Sequence, residues 1–241
     1  MLALLLALAA ALPAAAGERA RERELMVLTI ENLAATAGPA YVRKLDRKVL
    51  DAMRAVPRHL LVPEEARREA YQNRPLPIGY EQTISQPYIV ALMSDLLDAE
   101  PHHVVLEVGT GSGYQAAVLS RLVRQVFTIE IVEPLATRSS RQLAELGYAN
   151  VTVRAGDGYL GWPEHAPFDR IIVTAGADHV PQPLIDQLKP GGRMVIPVGR
   201  TANTLDLTLI EKRGDGRLKK RRVLPVAFVP LKRGTARAPS G

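Results

Sequence analysis

Glu107 and the three glycines that follow it at alternate positions, Gly109, Gly111 and Gly113, are the residues of this chain with the clearest chemical purpose. Glycines at that density let a ligand approach the backbone closely and allow positive φ in a tight turn. The apolar run Val104–Val108 before them reads as a strand. The run Tyr114–Arg124 after them reads as a helix whose first N–H groups are free to meet a ligand. The whole is a strand–loop–helix cradle for an adenosine-type cofactor, with Thr110 and Ser112 as the polar members of the loop.

The spacing discriminates between cofactors. A dinucleotide fingerprint places its third glycine one residue later and puts the pyrophosphate on the helix N-terminus. Here Tyr114 stands where that site wants Gly or Ala. A carboxylate at Glu107 suits a cation and would repel a pyrophosphate. The sulfonium and ammonium groups of S-adenosyl-L-methionine fit that description. A nicotinamide dinucleotide and a ligand-free glycine turn are the alternatives.

Other candidates fall at strand ends, where ligands of open α/β sheets sit. Glu130, about 20 residues past the first glycine, can accept hydrogen bonds from both ribose hydroxyls, or is a surface acid. Asp157 can bond an adenine amino group while Gly158 lets the ring approach; an Asx-turn is the other reading of Asp157. Thr174-Ala175-Gly176-Ala177 ends the fourth strand without the Asn/Asp-Pro-Pro-Tyr sequence expected for transfer to an amino nitrogen. Ser85, two residues before Pro87, is a candidate functional hydroxyl or a helix-capping neighbour. No Gly-x-Ser-x-Gly elbow or His–Asp partner supports a serine hydrolase.

These groups must be positioned by the elements around them. Helices are expected at 18–36, 42–55 and 89–98, with Gly38-Pro39 breaking the first two and an irregular stretch over 75–90. Strands are expected at 104–108, 125–130, 151–155, 170–174 and 193–198, alternating with helices at 114–124, 134–146 and 183–188. That alternation predicts an α/β fold, a doubly wound mostly parallel sheet under an N-terminal helical layer. Residues 205–212 and 219–229 close it as an antiparallel strand pair. One domain is expected over 18–234, with a helical and substrate-loop part (18–99) and a cofactor-binding sheet (100–234). An apolar extension, 1–17, precedes it and a tail, 235–241, follows.

Composition excludes much. With 241 residues, 47% hydrophobic and 23% charged, the chain is an ordinary globular one. It has no cysteine, so disulfides, thiolate zinc sites and thiol nucleophiles are out. Five histidines with no His-x-x-x-His pair make no metal site expected. The net charge of +6 is concentrated in the last 31 residues, chiefly around a turn at Gly214-Asp215-Gly216, so a solvated basic hairpin is favoured and no nucleic-acid partner is expected. Residues 1–16 carry no charge and end in small residues, as a secretory signal does, but lack its basic start and are short for a membrane span. A start at Met26 is the competing reading. Because the donor is made in the cytoplasm, a cytoplasmic protein without stable membrane association is expected, and export is the alternative.

The chain resembles the protein-L-isoaspartate (D-aspartate) O-methyltransferase family. The likeness rests on Pro75–Gly79 with Gln82-Thr-Ile-Ser-Gln-Pro-Tyr88, on Leu106–Gln115, on Phe168–Thr174 with Leu188–Gly192 and Ile196–Gly199, and on the closing stretch Val226–Leu231. It spans about residues 22–234. The glycine loop is shared by many methyltransferases; the Gln82–Tyr88 segment is specific to this family. One departure is Tyr80-Glu81, where many members have a small or polar residue and then Gly. The resemblance implies methyl transfer from S-adenosyl-L-methionine to the α-carboxylate of isoaspartyl residues in damaged proteins and peptides; a monomer is expected. It implies that Ser85 bonds or aligns the substrate carboxylate, that Thr83 and Ile84 line the substrate channel, and that Glu107, Gly109–Gly113, Glu130, Asp157 and Gly158 hold the cofactor.

Overall fold

The computed structural model describes residues 19–36, 44–201 and 204–234, so the apolar extension, the Gly38-Pro39 break and the tail lie outside the described residues. Helix α1 (Ala20–Thr36) buries Arg23, Met26, Val27, Ile30 and Ala34, a stripe at helical spacing. Helix α2 (Arg47–Ala55) begins five residues later than the sequence suggests, because Asp46 caps it by accepting from the Lys48 N–H at 2.9 Å. The stretch expected to be irregular contains a small antiparallel hairpin, β1 (Leu76–Gly79) and β2 (Gln82–Ile84), which leads into α3 (Pro87–Leu97).

From there strands and helices alternate: β3 (Val104–Val108), α4 (Tyr114–Ser120), β4 (Gln125–Glu130), α5 (Glu133–Glu145), β5 (Val151–Ala155), β6 (Phe168–Val173), α6 (Gln182–Gln187) and β7 (Leu188–Val198). β8 (Leu205–Lys212) and β9 (Leu218–Val226) complete a seven-stranded sheet of order β5-β4-β3-β6-β7-β8-β9. The first five of these pair in parallel and the last two join antiparallel. The basic hairpin turns where expected, with Gly216 at φ 81° and the Asp215 carboxylate accepting from the Arg217 N–H.

Alternation along each strand divides the core. Val105, Val126, Ile172 and Val195 face the N-terminal helices, α3 and α4, while Leu106, Ile171, Val173 and Met194 face Trp162, Phe168 and Leu184. Both faces are therefore dry, which is why the strands read as continuous apolar runs. Helix α4 stops at Ser120, four residues short of its apolar pattern. The Asn150 amide takes the carbonyls of Ser120 and Val123, and Leu122 and Val123 are buried without being helical. Strand order reverses between β3 and β6, and the crevice at their carboxyl ends is where such a sheet takes a ligand. Among the described residues no helix is long and apolar enough to cross a membrane.

Candidate active site

The glycine loop after β3 has the backbone its sequence demands. Gly109, Gly111 and Gly113 all have positive φ, at 101°, 52° and 81°. At Gly109 a Cβ would sit 2.5 Å from Thr174 Oγ1, whose hydroxyl donates to the Gly109 carbonyl at 2.6 Å. Only glycine permits both that φ and that approach. Gly113 precedes α4 and shapes the turn without lining the crevice.

Glu130 braces this loop. Its Oε2 accepts from the Gly111 N–H at 2.7 Å and its Oε1 from the Val132 N–H at 2.9 Å, while the Ser139 hydroxyl donates to the Gly111 carbonyl at 2.6 Å. A carboxylate has about four acceptor sites, so Glu130 keeps capacity for two further donors on the cavity side, where it forms part of the wall. Thr110 and Thr128 share a hydroxyl hydrogen bond at 2.7 Å, and Ser112 Oγ accepts from the Tyr114 N–H at 3.3 Å.

Glu107 lies deeper than its position in the sequence suggests. It is wholly buried beside Thr128 in the β3–β4 register, and among the described residues neither carboxyl oxygen has a hydrogen-bond partner. Burial pushes its pKa up to about 8; the Thr128 hydroxyl pulls it down, and the negative charge of Glu130 adds to the rise. An orphaned acid beneath a glycine cradle fits a cationic ligand above, although Glu107 itself is absent from the cavity wall. Asp157 is also absent from it. Its Oδ1 accepts from the Tyr159 N–H at 2.9 Å, an Asx-turn, and its Oδ2 from the Gly234 N–H at 3.0 Å. What separates it from Glu130 is place, since its carboxylate does not border the cavity; Gly158, its neighbour, does reach the wall.

The cavity brings together Thr83, Ile84, Ser85, Gly109, Thr110, Gly111, Ser112, Glu130 and Gly158. Thr83, Ser85, Thr174, Val229 and Pro230 also border a second lobe of about 590 Å³, walled by Tyr88, Ile89, Val226 and Phe228. Ser85 does not cap α3. Gln86 is the N-cap residue and makes no side-chain cap bond; Asn73 Oδ1 instead accepts from the Tyr88 N–H at 2.9 Å. The Ser85 hydroxyl, at the junction of the lobes, is left without a protein partner among the described residues.

Sequence reasoning missed two contributors. The segment Val229–Lys232 closes the cofactor side, held where the Gly176 N–H donates to Val229 and the Leu231 N–H to Gly176. Arg58 supports Ser85 from behind, its Nη2 donating to the Ser85 carbonyl at 2.8 Å. No local spacing announces either, since both contacts join residues far apart in the chain.

The family model described as "Protein-L-isoaspartate(D-aspartate) O-methyltransferase (PCMT)" matches residues 40–236. The chain belongs to that family. It is 59% identical over 208 residues to protein-L-isoaspartate O-methyltransferase 2 of Polaromonas sp., covering 86% of this chain and 97% of the relative. It is 55% identical over 230 residues to protein-L-isoaspartate O-methyltransferase 1 of Cupriavidus necator, covering 95% and 89%. Among solved structures it is similar to a candidate protein-L-isoaspartate O-methyltransferase of Plasmodium falciparum in complex with S-adenosyl-L-homocysteine. The TM-score is 0.70 at 26% identity, covering 87% of this chain and 99% of that one.

Against the family pattern, the Tyr80-Glu81 departure acquires a physical meaning. Both residues have positive φ, 53° and 58°, in the two-residue turn joining β1 to β2. Such turns favour Asn-Gly, since bulkier residues are strained there. This isoaspartyl methyltransferase family member therefore carries a strained, exposed tyrosine at the tip of the hairpin that supplies Thr83 and Ile84.

Proposed function

We infer that this protein transfers the methyl group of S-adenosyl-L-methionine to the α-carboxylate of L-isoaspartyl residues in aged proteins and peptides. The observation carrying this reading is the two-lobed cavity, whose cofactor cradle and second lobe meet at Thr83, Ser85 and Thr174. Family membership supports the choice of acceptor. When bound, S-adenosyl-L-methionine supplies an electrophilic methyl group. Gly109–Ser112, Glu130 and Gly158 would hold it, with Gly113 shaping the loop and the Glu107 carboxyl beneath it.

A carboxylate acceptor is already ionised near neutral pH. No strong general base is required, and none borders Ser85. The chain's work is placement: the Ser85 hydroxyl, without a partner among the described residues, donates to the acceptor carboxylate and fixes one oxygen in line with the methyl group. Thr83 and Ile84 form the near wall, and Val229, Pro230 and Leu231 screen the junction from water. The ester product can close to a succinimide, and its hydrolysis returns some normal aspartate.

Labelled S-adenosyl-L-methionine with paired isoaspartyl and aspartyl peptides tests the reading. Base-labile label is expected on the isoaspartyl peptide alone; equal labelling of both, or of neither, refutes it. The same reading has the protein act as a monomer in the cytoplasm, where the donor is made. Sedimentation checks the first point, and mass spectrometry of the mature N-terminus separates an intact chain, a start at Met26 and cleavage after Ala16.

A further inference from the structure

Arg58 is the largest fully buried side chain, and it has no carboxylate partner among the described residues. Its Nε donates to the Ala70 carbonyl at 2.7 Å and its Nη2 to the Ser85 carbonyl at 2.8 Å. Nη1 has no acceptor among the described residues. The guanidinium lies over the ring of Tyr114, 4.7 Å from its centroid. Burial lowers its pKa to about 10, which still leaves it a cation at neutral pH.

A buried cation held only by carbonyls and an aromatic face is costly, and an apolar side chain of similar volume would commonly serve stability as well. What an apolar side chain lacks is the planar fork that spans two carbonyls and stacks on a ring at once. The three groups so joined have different roles. Ala70 ends the short 3₁₀ turn Glu64–Glu69 that precedes the β1–β2 hairpin, Ser85 borders both lobes, and Tyr114 is the residue directly after the glycine loop.

We propose that Arg58 is a positioning residue: it sets the Ser85 backbone against the first turn of α4, so that the acceptor-binding hydroxyl and the donor cradle keep one spacing. This rests on the reading of Ser85 given above. Displacing a reacting group by about 1 Å can cost on the order of a hundredfold in rate, whereas the cofactor loop has its own braces in Glu130 and Ser139. The effect should therefore fall on turnover and spare donor affinity.

The test is a double-mutant cycle with Arg58→Lys and Ser85→Ala, reading kcat with an isoaspartyl peptide and Kd for S-adenosyl-L-homocysteine. Arg58→Lys keeps the charge and loses the fork. It is expected to lower kcat by roughly ten- to a hundredfold with Kd changed less than about twofold, and to add little in the Ser85→Ala background. A fully active Arg58→Lys overturns the proposal alone, as does an undiminished loss in the Ser85→Ala background. A fully active Ser85→Ala overturns the reading of Ser85 and the proposal with it. Should Arg58→Lys not fold, the Arg58 Nε–H resonance of the unaltered protein decides. It should shift when isoaspartyl peptide joins the S-adenosyl-L-homocysteine complex, and an unmoved resonance overturns the proposal.

Discussion

Replacing Glu130 by glutamine separates two roles that the carboxylate combines. Its two oxygens accept from the Gly111 and Val132 N–H groups at 2.7 and 2.9 Å. A glutamine can accept one of these through its carbonyl oxygen, but its NH₂ then faces the other donor. One half-buried N–H is left unpaired, at about 1 kcal/mol, the low end of the cost of an unsatisfied donor. For a chain of this size that lowers Tm by about 2–4 °C per kcal/mol. The remaining lone pairs of the carboxylate are the ones available to ribose hydroxyls. Losing a hydrogen bond to a charged acceptor costs about 1.5–3 kcal/mol, on the order of ten- to a hundredfold in Kd for S-adenosyl-L-homocysteine. Titration calorimetry reads the affinity and thermal unfolding reads the brace. Ser139→Ala is the control: it removes the donor to the Gly111 carbonyl without touching the ribose acceptor, so it should lower Tm with little change in Kd. If Glu130→Gln lowers Tm but leaves Kd within about twofold, Glu130 is a loop brace only and the ribose is held elsewhere.

Glu107 sets a pH dependence. Its pKa in the fold, about 8, lies above the ordinary carboxylate value, so the folded state holds a proton that the unfolded chain releases. Stability of the cofactor-free protein should fall as pH rises from about 4.5 to 8, and Glu107→Gln should flatten that slope in pH-dependent thermal unfolding; an unchanged slope refutes the assignment. Gly158→Ala would push a methyl group into Val108 Cγ1, a core contact. Overpacking of about 1–3 kcal/mol should appear as a lower Tm together with weaker cofactor binding, and a neutral variant would show that the wall can yield. Asp157→Ala removes acceptors for Tyr159 and Gly234, so limited trypsin digestion should cut faster after Lys232 and Arg233, and an unchanged rate would refute the latch.

What the sequence made legible follows a physical division. Strands β3, β4, β5 and β8 match their expected ranges residue for residue; β3, β4 and β8 carry buried apolar residues between polar or glycine flanks, and β5, at the sheet edge, alternates valine with polar residues. The glycine spacing was legible for a similar reason: each positive φ is a demand that only one residue type meets cheaply. The C-terminal end of α4 and the cap of α3 were not, since Asn150 and Asn73 settle them from 30 and 15 residues away. Asp157, which reads equally as an adenine ligand or an Asx-turn, forms the Asx-turn, a choice its residue type permits but does not specify.

The acceptor side differs in kind. A glycine cradle announces its ligand through backbone geometry, which sequence encodes locally. An acceptor lobe is a meeting of surfaces: the β1–β2 hairpin, the start of α3 and the segment after β9 each contribute a wall. None of the three specifies a carboxylate alone, and a serine two residues before a proline is on its own an ordinary helix approach. It becomes a candidate for alignment because Asn73 takes over the capping of α3 and Arg58 fixes the Ser85 carbonyl, leaving the hydroxyl with no partner among the described residues. The chemistry of this site therefore lies in residues that free and fix Ser85 as much as in Ser85 itself. Asn73→Ala should accordingly lower turnover through the same segment: the Tyr88 N–H loses its acceptor, and the turn that carries Ser85 into α3 loses the bond that fixes it. A fully active, equally stable Asn73→Ala protein would refute that division of labour.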